Sequence, residues 1–183
     1  AREYDEVEHL PEVEKKEIDI FMLSLPTPTI NGRVELEYLK NALKEVGRAV
    51  GKMSGTPMVV VRSTVPPGTT EELVIPILEK ASKKKEQQGF VVSMQPEFLR
   101  EVSAEKDFMN PWGVVIGSND YLAGKLLGKI YEPFGAPIFY TTLKEAEMMK
   151  YAHNLLNATK ISFFNEMRMV GEKIGADPEV IFP

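Results

Sequence analysis

At 183 residues, with 43% hydrophobic and 27% charged side chains, the chain suits one large domain, or one domain plus part of another, and has enough apolar material for a real core. A formal net charge of −5 sets up no broad electropositive field, which argues against nucleic acid as the main partner. With no cysteine the chain offers no disulfide, thiolate or Cys-based metal site; no apolar run approaches the roughly 20 residues of a membrane span, and with no secretory signal in view a cytoplasmic setting is expected.

The acidic opening, Ala1-Arg2-Glu3-Tyr4-Asp5-Glu6-Val7-Glu8, lacks an initiator methionine. The close, Val180-Ile181-Phe182-Pro183, stops on apolar residues just after a turn. Both ends are expected to be boundaries inside a longer protein. Residues 18–25 (IDIFMLSL) form an apolar run stopped by Pro26-Thr27-Pro28, the pattern of a fully buried strand. Over 34–50, Leu36, Leu39, Leu43, Val46 and Val50 recur at helical spacing, and Gly51 is expected to end that helix. A strand is expected over 58–62. The next helix is expected to open at Thr69-x-x-Glu72, a capping-box pattern, and to bend at Pro76.

A strand over 90–94 leads into a long polar loop through Asp107 and Pro111. Beyond it come a strand over 114–116, a helix carrying Leu122, Leu126, Leu127 and Ile130, and a strand over 138–140. Strands alternating with helices predict right-handed βαβ units and a parallel sheet. Lys83-Lys84-Lys85 stands at a predicted helix C-terminus, where cations complement the dipole, and is read as structural. Gly47, Gly51 and Gly55 share the spacing of a membrane dimer motif in surroundings too polar for one.

The last segment is different in kind. Thr142-Leu143-Lys144-Glu145 matches a capping box, and a helical pattern then runs unbroken to Gly175, the expected C-cap. A helix of about 32 residues would be roughly 48 Å long. Met148, Met149, Tyr151, Ala152, Leu155, Leu156, Ile161, Phe163, Phe164, Met167, Met169 and Val170 surround much of it. Such a helix must be covered on several sides, by further chain, by a partner subunit, or by both. Lys150 and Asn154, four apart, share one face with Glu147 and Ala158. An ammonium beside a carboxamide suits an oxygen that gains negative charge, as in oxidation of an alcohol to a carbonyl. His9 and His153 show no metal-ligand spacing, and no metal is expected.

Two motifs stand where buried strands end. Arg62-Ser63-Thr64-Val65-Pro66-Pro67-Gly68-Thr69-Thr70 follows Met58-Val59-Val60-Val61, and Gln95-Pro96-Glu97-Phe98-Leu99-Arg100-Glu101 follows Phe90-Val91-Val92-Ser93-Met94. The carboxyl edge of an open α/β sheet is where ligands bind. A hydroxyl at one strand end and two carboxylates beyond another are expected to converge there on one molecule.

Taken with Leu25-Pro26-Thr27-Pro28, Asp107-Phe108 with Pro111, Val115-Ile116-Gly117, Glu145-Ala146-Glu147-Met148-Met149-Lys150-Tyr151, Asn154, Lys160-Ile161-Ser162-Phe163 with Asn165-Glu166, and Gly175-Ala176-Asp177, these motifs resemble the nucleotide-sugar 6-dehydrogenases. The resemblance runs from about Ile18 onward. It implies an α/β fold, a partial Rossmann-like parallel sheet followed by a long central dimerisation helix. Residues 1–140 would be the C-terminal part of an NAD-binding domain, and 141–183 the long helix and the start of the central domain.

The activity implied is oxidation of the C6 alcohol of a nucleotide sugar to a carboxylate, using NAD twice and passing through a thioester on cysteine. UDP-glucose is the substrate expected first. On that resemblance Thr64 and Glu97 position the hydrolytic water, and Glu101 orders the site and approaches the cofactor. Lys150 and Asn154 stabilise the oxyanion and touch substrate, Phe98, Leu99 and Arg100 lie along the substrate, and Thr27 and Thr64 come near NAD. The partners implied are a nucleotide sugar and a second copy of the chain, with neither nucleic acid nor membrane.

The chain departs from the family pattern in three places. No G-x-G-x-x-G occurs among its 13 glycines, it has no cysteine, and Val102 stands where UDP-glucose enzymes often carry glycine. This piece alone is therefore expected not to turn over. GDP-mannose oxidation stays open, since Val74-Ile75-Pro76, Val102 and Gly135-Ala136-Pro137-Ile138 are similar to that branch. So do a β-hydroxyacid dehydrogenase, which Glu97 and Glu101 argue against, and a non-catalytic dimerisation module.

Overall fold

The run Met58-Val59-Val60-Val61 is fully buried at the heart of a five-stranded sheet in the computed structural model, which describes residues 18–182. The sheet order is β1 (Ile20–Leu23), β4 (Met58–Val61), β5 (Val91–Met94), β6 (Val114–Ser118), β7 (Ile138–Thr141). Side chains alternate across it. Val59 and Val61 face a core shared with α1 (Glu37–Lys52), α2 (Ile75–Ser82) and the start of α5 (Leu143–Ile174). Met58 and Val60 face a second core shared with α4 (Tyr121–Tyr131). Both faces are covered, which is why the strand is apolar without a polar alternation.

β1, β4 and β5 run parallel, and so do β6 and β7. β5 and β6 pair antiparallel, a departure from the expected uniform βαβ order. The chain between them holds only a 3-10 turn (Glu101–Ser103) and the short α3 (Ala104–Met109), where a plain loop was expected. With no crossover helix to carry it across a sheet face, the chain re-enters at the edge it left. A small hairpin of β2 (Thr29–Ile30) and β3 (Arg33–Val34) also lies outside the expected elements. Its Asn31-Gly32 turn has both residues at positive φ, 51° and 74°, as a two-residue hairpin requires.

Gly51 lies inside α1 instead of ending it, and the reason is packing. A Cβ on Gly47 would fall 2.5 Å from the Ala81 Cβ, and one on Gly51 would fall 2.8 Å from the Ser82 carbonyl oxygen. The glycine spacing thus serves the close approach of α1 and α2. The capping box expected at Thr69 does not form: the Thr69 hydroxyl donates to the Pro66 carbonyl at 2.6 Å instead. A π-helical turn (Thr70–Val74) comes first, with the Ile75 N–H bonded to the Thr70 carbonyl. Pro76 then stands at the second position of α2, directly after the π-turn and within one continuous helical run.

Lys83 ends α2 in a left-handed conformation, Lys84 donates to the Met53 carbonyl at 2.6 Å, and Lys85 pairs with Glu79 at 2.8 Å. The basic run is structural, as expected. The capping box of Thr142 and Glu145 is formed, α5 runs 32 residues, and Gly175 caps it at φ 75°. A short α6 (Pro178–Ile181) follows. No described helix is long and apolar enough to cross a membrane.

Candidate active site

The site begins with a charge pair between β5 and α5. Pro96 and Glu97 follow the end of β5, and α5 passes over the sheet with Leu143, Ala146, Glu147 and Lys150 buried beneath it. The Lys150 ammonium donates to Glu97 Oε1 at 3.1 Å, and the second Glu97 oxygen accepts the Leu99 N–H at 2.5 Å. The Lys150 side chain is 5% exposed and that of Glu97 30%, so the cation is enclosed while the carboxylate reaches solvent. The Phe98 ring lies 5.4 Å from the ammonium, adding a cation–π contact.

Beside it, the end of β4 is tied to the end of β1. The Ser63 hydroxyl accepts the Leu25 N–H and donates to the Leu25 carbonyl, both at 2.8 Å. The Thr27 hydroxyl donates to the Thr64 carbonyl at 2.8 Å. Pro66-Pro67-Gly68-Thr69 then closes a turn, with the Thr69 N–H on the Pro66 carbonyl at 3.0 Å and Gly68 at φ 96°. Proline then glycine at the two central positions is the type II arrangement. The turn delivers the Gly68 N–H to the fully buried Glu147 carboxylate. Thr70 donates both its N–H, at 2.7 Å, and its hydroxyl, at 2.6 Å, to Glu147 Oε1.

A cavity of about 410 Å³ opens between the 95–100 segment and the 107–113 segment. Trp112 stacks on His153 at 6.1 Å, and Phe98 meets both rings edge-on at 5.2 Å. Arg62, next in the β4 alternation, lies over the Phe108 ring at 5.9 Å. Among the described residues its Nε and His153 Nδ1 are buried without a hydrogen-bond partner. The Tyr131 hydroxyl donates to Gln95 Oε1 at 2.7 Å, bracing the start of the Glu97 loop from α4, and burial raises the Tyr131 pKa.

The loop after Phe98 is stapled. The Arg100 guanidinium donates to both Asp107 oxygens, at 2.9 and 2.7 Å, and the Arg100 N–H and Ser103 hydroxyl add bonds of 3.0 and 2.9 Å to Asp107 Oδ2. The Arg100 side-chain bonds come first among the causes that hold the Asp107 carboxyl far below the usual carboxylate range.

The structure therefore brings Lys150 to Glu97 and Thr27 to Thr64, and places Phe98, Leu99 and Arg100 in one cavity wall. Arg100 is engaged by Asp107 and does not present a free cation. Lys150 is buried while Asn154, on the face they were expected to share, is exposed, so the two do not form a buried pair. After Lys150 the helix outruns the sheet, and among the described residues of α5 only Gly171 is buried again. Glu101 opens its 3-10 turn, and its side chain lies outside the described residues, as does His9. No metal-binding cluster occurs among the described residues. Glu147, Asp107, Arg62 and His153 stood in or beside the sequence motifs without the roles the structure gives them, and Trp112 was not singled out. A carboxylate three before the buried lysine on an apolar helix was a signal for Glu147, because such a group must find donors.

Comparison with known proteins bears on this arrangement. A model described as the UDP-glucose/GDP-mannose dehydrogenase family, NAD binding domain, matches residues 6–135, and that of the family's central domain matches 144–182. GDP-mannose 6-dehydrogenase of Pseudomonas putida is 41% identical over 160 residues, covering 87% of this chain and 36% of the relative. UDP-glucose 6-dehydrogenase TuaD of Bacillus subtilis is 42% identical over 160 residues, covering 87% of this chain and 33% of the relative. A ternary complex of GDP-mannose dehydrogenase from Pseudomonas aeruginosa superposes with a TM-score of 0.87 at 40% identity, over 89% of this chain and 38% of that one. A UDP-glucose dehydrogenase from Pyrobaculum islandicum gives 0.84 at 38% identity, over 90% and 38%. The chain thus spans about a third of the length of these relatives.

Proposed function

The chain belongs to the UDP-glucose/GDP-mannose dehydrogenase family, and we propose that the protein carrying it oxidises the C6 alcohol of a nucleotide sugar to a carboxylate. The observation that carries this reading is the enclosed Lys150 ammonium held 3.1 Å from Glu97 at the carboxyl end of β5. A buried cation beside a partly hydrated carboxylate suits a carbon whose oxygen becomes negative and then accepts water. In the overall balance the alcohol carbon gives up two hydrides and gains one oxygen from water.

Thr27 and Thr64 lie at the carboxyl ends of parallel strands β1 and β4, the edge where open α/β sheets take dinucleotides. Their hydroxyl and carbonyl chemistry fits one wall of an NAD site, and Glu101 belongs to the same wall on this reading. NAD, when bound, supplies the hydride acceptor for each oxidation. Lys150 stabilises the oxygen at the reacting carbon, assisted by Asn154 once substrate covers that turn of α5. Glu97 accepts a proton from water that Thr64 helps to place. The aromatic wall of Phe98, Trp112 and His153 shields the carbon from bulk water. This chain holds no cysteine, so the thioester nucleophile belongs to residues beyond these 183.

On the same reading, residues 1–140 belong to the NAD-binding domain and 141–183 to the central domain of a cytoplasmic homodimer joined through α5. The test is NADH yield per sugar in the complete protein, with UDP-glucose and GDP-mannose offered separately. Two NADH per sugar and a uronate product are expected from one of the two. One NADH per sugar, with a stable aldehyde, would make the protein an ordinary alcohol dehydrogenase and overturn the proposal.

A further inference from the structure

Glu147 is fully buried, and the charge it carries is met by three donors from one short segment: the Gly68 N–H, the Thr70 N–H and the Thr70 hydroxyl. A buried carboxylate is retained only where such bonds replace its water. The donors sit at the start of the π-turn that leads into α2, where unpaired N–H groups and the helix dipole favour an anion. Glu147 is thus matched to that segment as an anion to its socket.

The socket lies between two elements that the site needs in register. Gly68 is four residues after Thr64, and the intervening chain is stiffened by Pro66 and Pro67. The near end of that chain is fixed to β1 by Ser63 and its far end to α5 by Glu147. Lys150 follows Glu147 by three residues, one turn along the same helix face. Whatever fixes Glu147 along α5 also fixes how far Lys150 reaches toward Glu97.

We infer that Glu147 is a positioning residue, which locks α5 to the Thr64 loop so that Lys150 and Thr64 meet the Glu97 loop in one fixed geometry. The inference builds on the proposed oxidation, because it concerns how the groups of that site are held. Glu147 touches no reacting atom. A glutamine there keeps the size but turns an NH₂ toward N–H donors, so one of the socket bonds becomes a donor–donor contact. Thr70→Val removes only the hydroxyl and keeps both amide bonds.

The experiment compares Glu147→Gln, Thr70→Val and, as a reference at the other end of α2, Ser82→Ala in the complete protein. Three quantities are read: kcat and KM for the nucleotide sugar, acetylation of Lys150 by acetic anhydride followed by mass, and hydrogen exchange over residues 66–72. Glu147→Gln is expected to lower kcat about 10²-fold, the cost of roughly 1 Å of misplacement. KM should stay within about threefold, because the cavity wall of Phe98, Leu99 and Arg100 is untouched. Lys150 acetylation should rise several-fold, and exchange over 66–72 should quicken. Thr70→Val is expected to move all three in the same direction by less, and it remains informative if Glu147→Gln does not fold. Ser82→Ala should leave Lys150 acetylation as in the parent.

Faster exchange with unchanged Lys150 acetylation and unchanged kcat would reduce Glu147 to a stabilising anchor and overturn the inference. An equal rise in Lys150 acetylation with Ser82→Ala would overturn it too. If the parent protein reduced no NAD with either sugar, the proposed function would fall, while acetylation and exchange would still decide the role of Glu147.

Discussion

The Lys150 ammonium and the Glu97 carboxylate, 53 positions apart in sequence, meet at 3.1 Å with the cation almost wholly enclosed. Each fixes the other: Glu97 is what makes an enclosed ammonium tolerable, and Lys150 holds one oxygen of the carboxylate while the Leu99 N–H holds the second. The pair ties the β5 loop to the long helix.

Lys150→Ala removes the cation at the reacting carbon. In the complete protein, kcat/KM for sugar oxidation should fall about 10²–10³-fold, the usual loss when one charge-stabilising donor is deleted. Stability should fall by about 1–3 kcal/mol, since one partner of a hydrogen-bonded charge pair is left behind. Glu97 is partly exposed and regains water, which keeps the loss toward the lower end. Steady-state kinetics and thermal melting measure the two effects separately.

Asp107 closes the loop that carries Phe98, Leu99 and Glu101, so Asp107→Asn should act on binding. The amide has a single acceptor oxygen and cannot take both guanidinium donors of Arg100. KM for the nucleotide sugar is expected to rise about 3–10-fold with little change in kcat, the pattern of lost ground-state contacts.

The same staple sets a pH dependence. The Asp107 carboxyl is depressed in the folded protein, first by the Arg100 side-chain bonds, so the folded state holds its charged form more strongly than the unfolded chain does. Its stabilising contribution is complete above the ordinary aspartate value of about 3.9 and is lost only as pH falls through the lower folded value. Carboxyl NMR across an acid titration should therefore show Asp107 ionised after other exposed aspartates have taken up protons.

Much of this arrangement was legible in the sequence wherever a local pattern fixed the outcome. The all-apolar run Met58-Val59-Val60-Val61 is covered on both faces, as its lack of alternation suggested. The equally apolar run of β1, at the sheet edge, leaves Met22 exposed, so full burial of the 18–25 run does not hold. Thr142-x-x-Glu145 and Gly175 marked both ends of a 32-residue helix, because capping chemistry is local. The identical-looking Thr69-x-x-Glu72 failed because the Pro66-Pro67-Gly68-Thr69 turn ahead of it claims the same groups. The Glu72 N–H bonds the Gly68 carbonyl at 2.9 Å and the Thr69 hydroxyl donates to the Pro66 carbonyl, so the two groups of the box are spent within the Pro66–Thr69 turn, while Glu147, 77 positions from Thr70, takes the Thr70 N–H. The exposure of Asn154 was not legible from local pattern. Helical spacing gives its face, whereas only the extent of the sheet under α5 decides where burial stops.

The exposed side of α5 makes a prediction about assembly. Leu155, Leu156, Ile161 and Phe163 are each more than half exposed on one continuous helix, well beyond scattered surface residues. If α5 joins two copies, Leu155→Lys combined with Phe163→Lys should convert a dimer to a monomer in sedimentation velocity. Two lysines on α4, at Leu122 and Leu126, should leave the sedimentation coefficient unchanged.

Glu97→Gln separates the two halves of the proposed chemistry. The amide keeps the shape of the side chain, but its single oxygen can serve either the Lys150 ammonium or the Leu99 N–H, and it cannot accept a proton from attacking water. The first oxidation depends on Lys150 and should be slowed modestly. Hydrolysis depends on the base and should slow about 10²–10⁴-fold, the usual contribution of a positioned general base. The covalent intermediate should then accumulate on the complete protein, visible as an added mass after a single turnover, with a burst of NADH preceding a slow steady state. Unchanged turnover, with no adduct and no burst, would remove Glu97 from the hydrolytic step and leave it only the task of holding Lys150 in place.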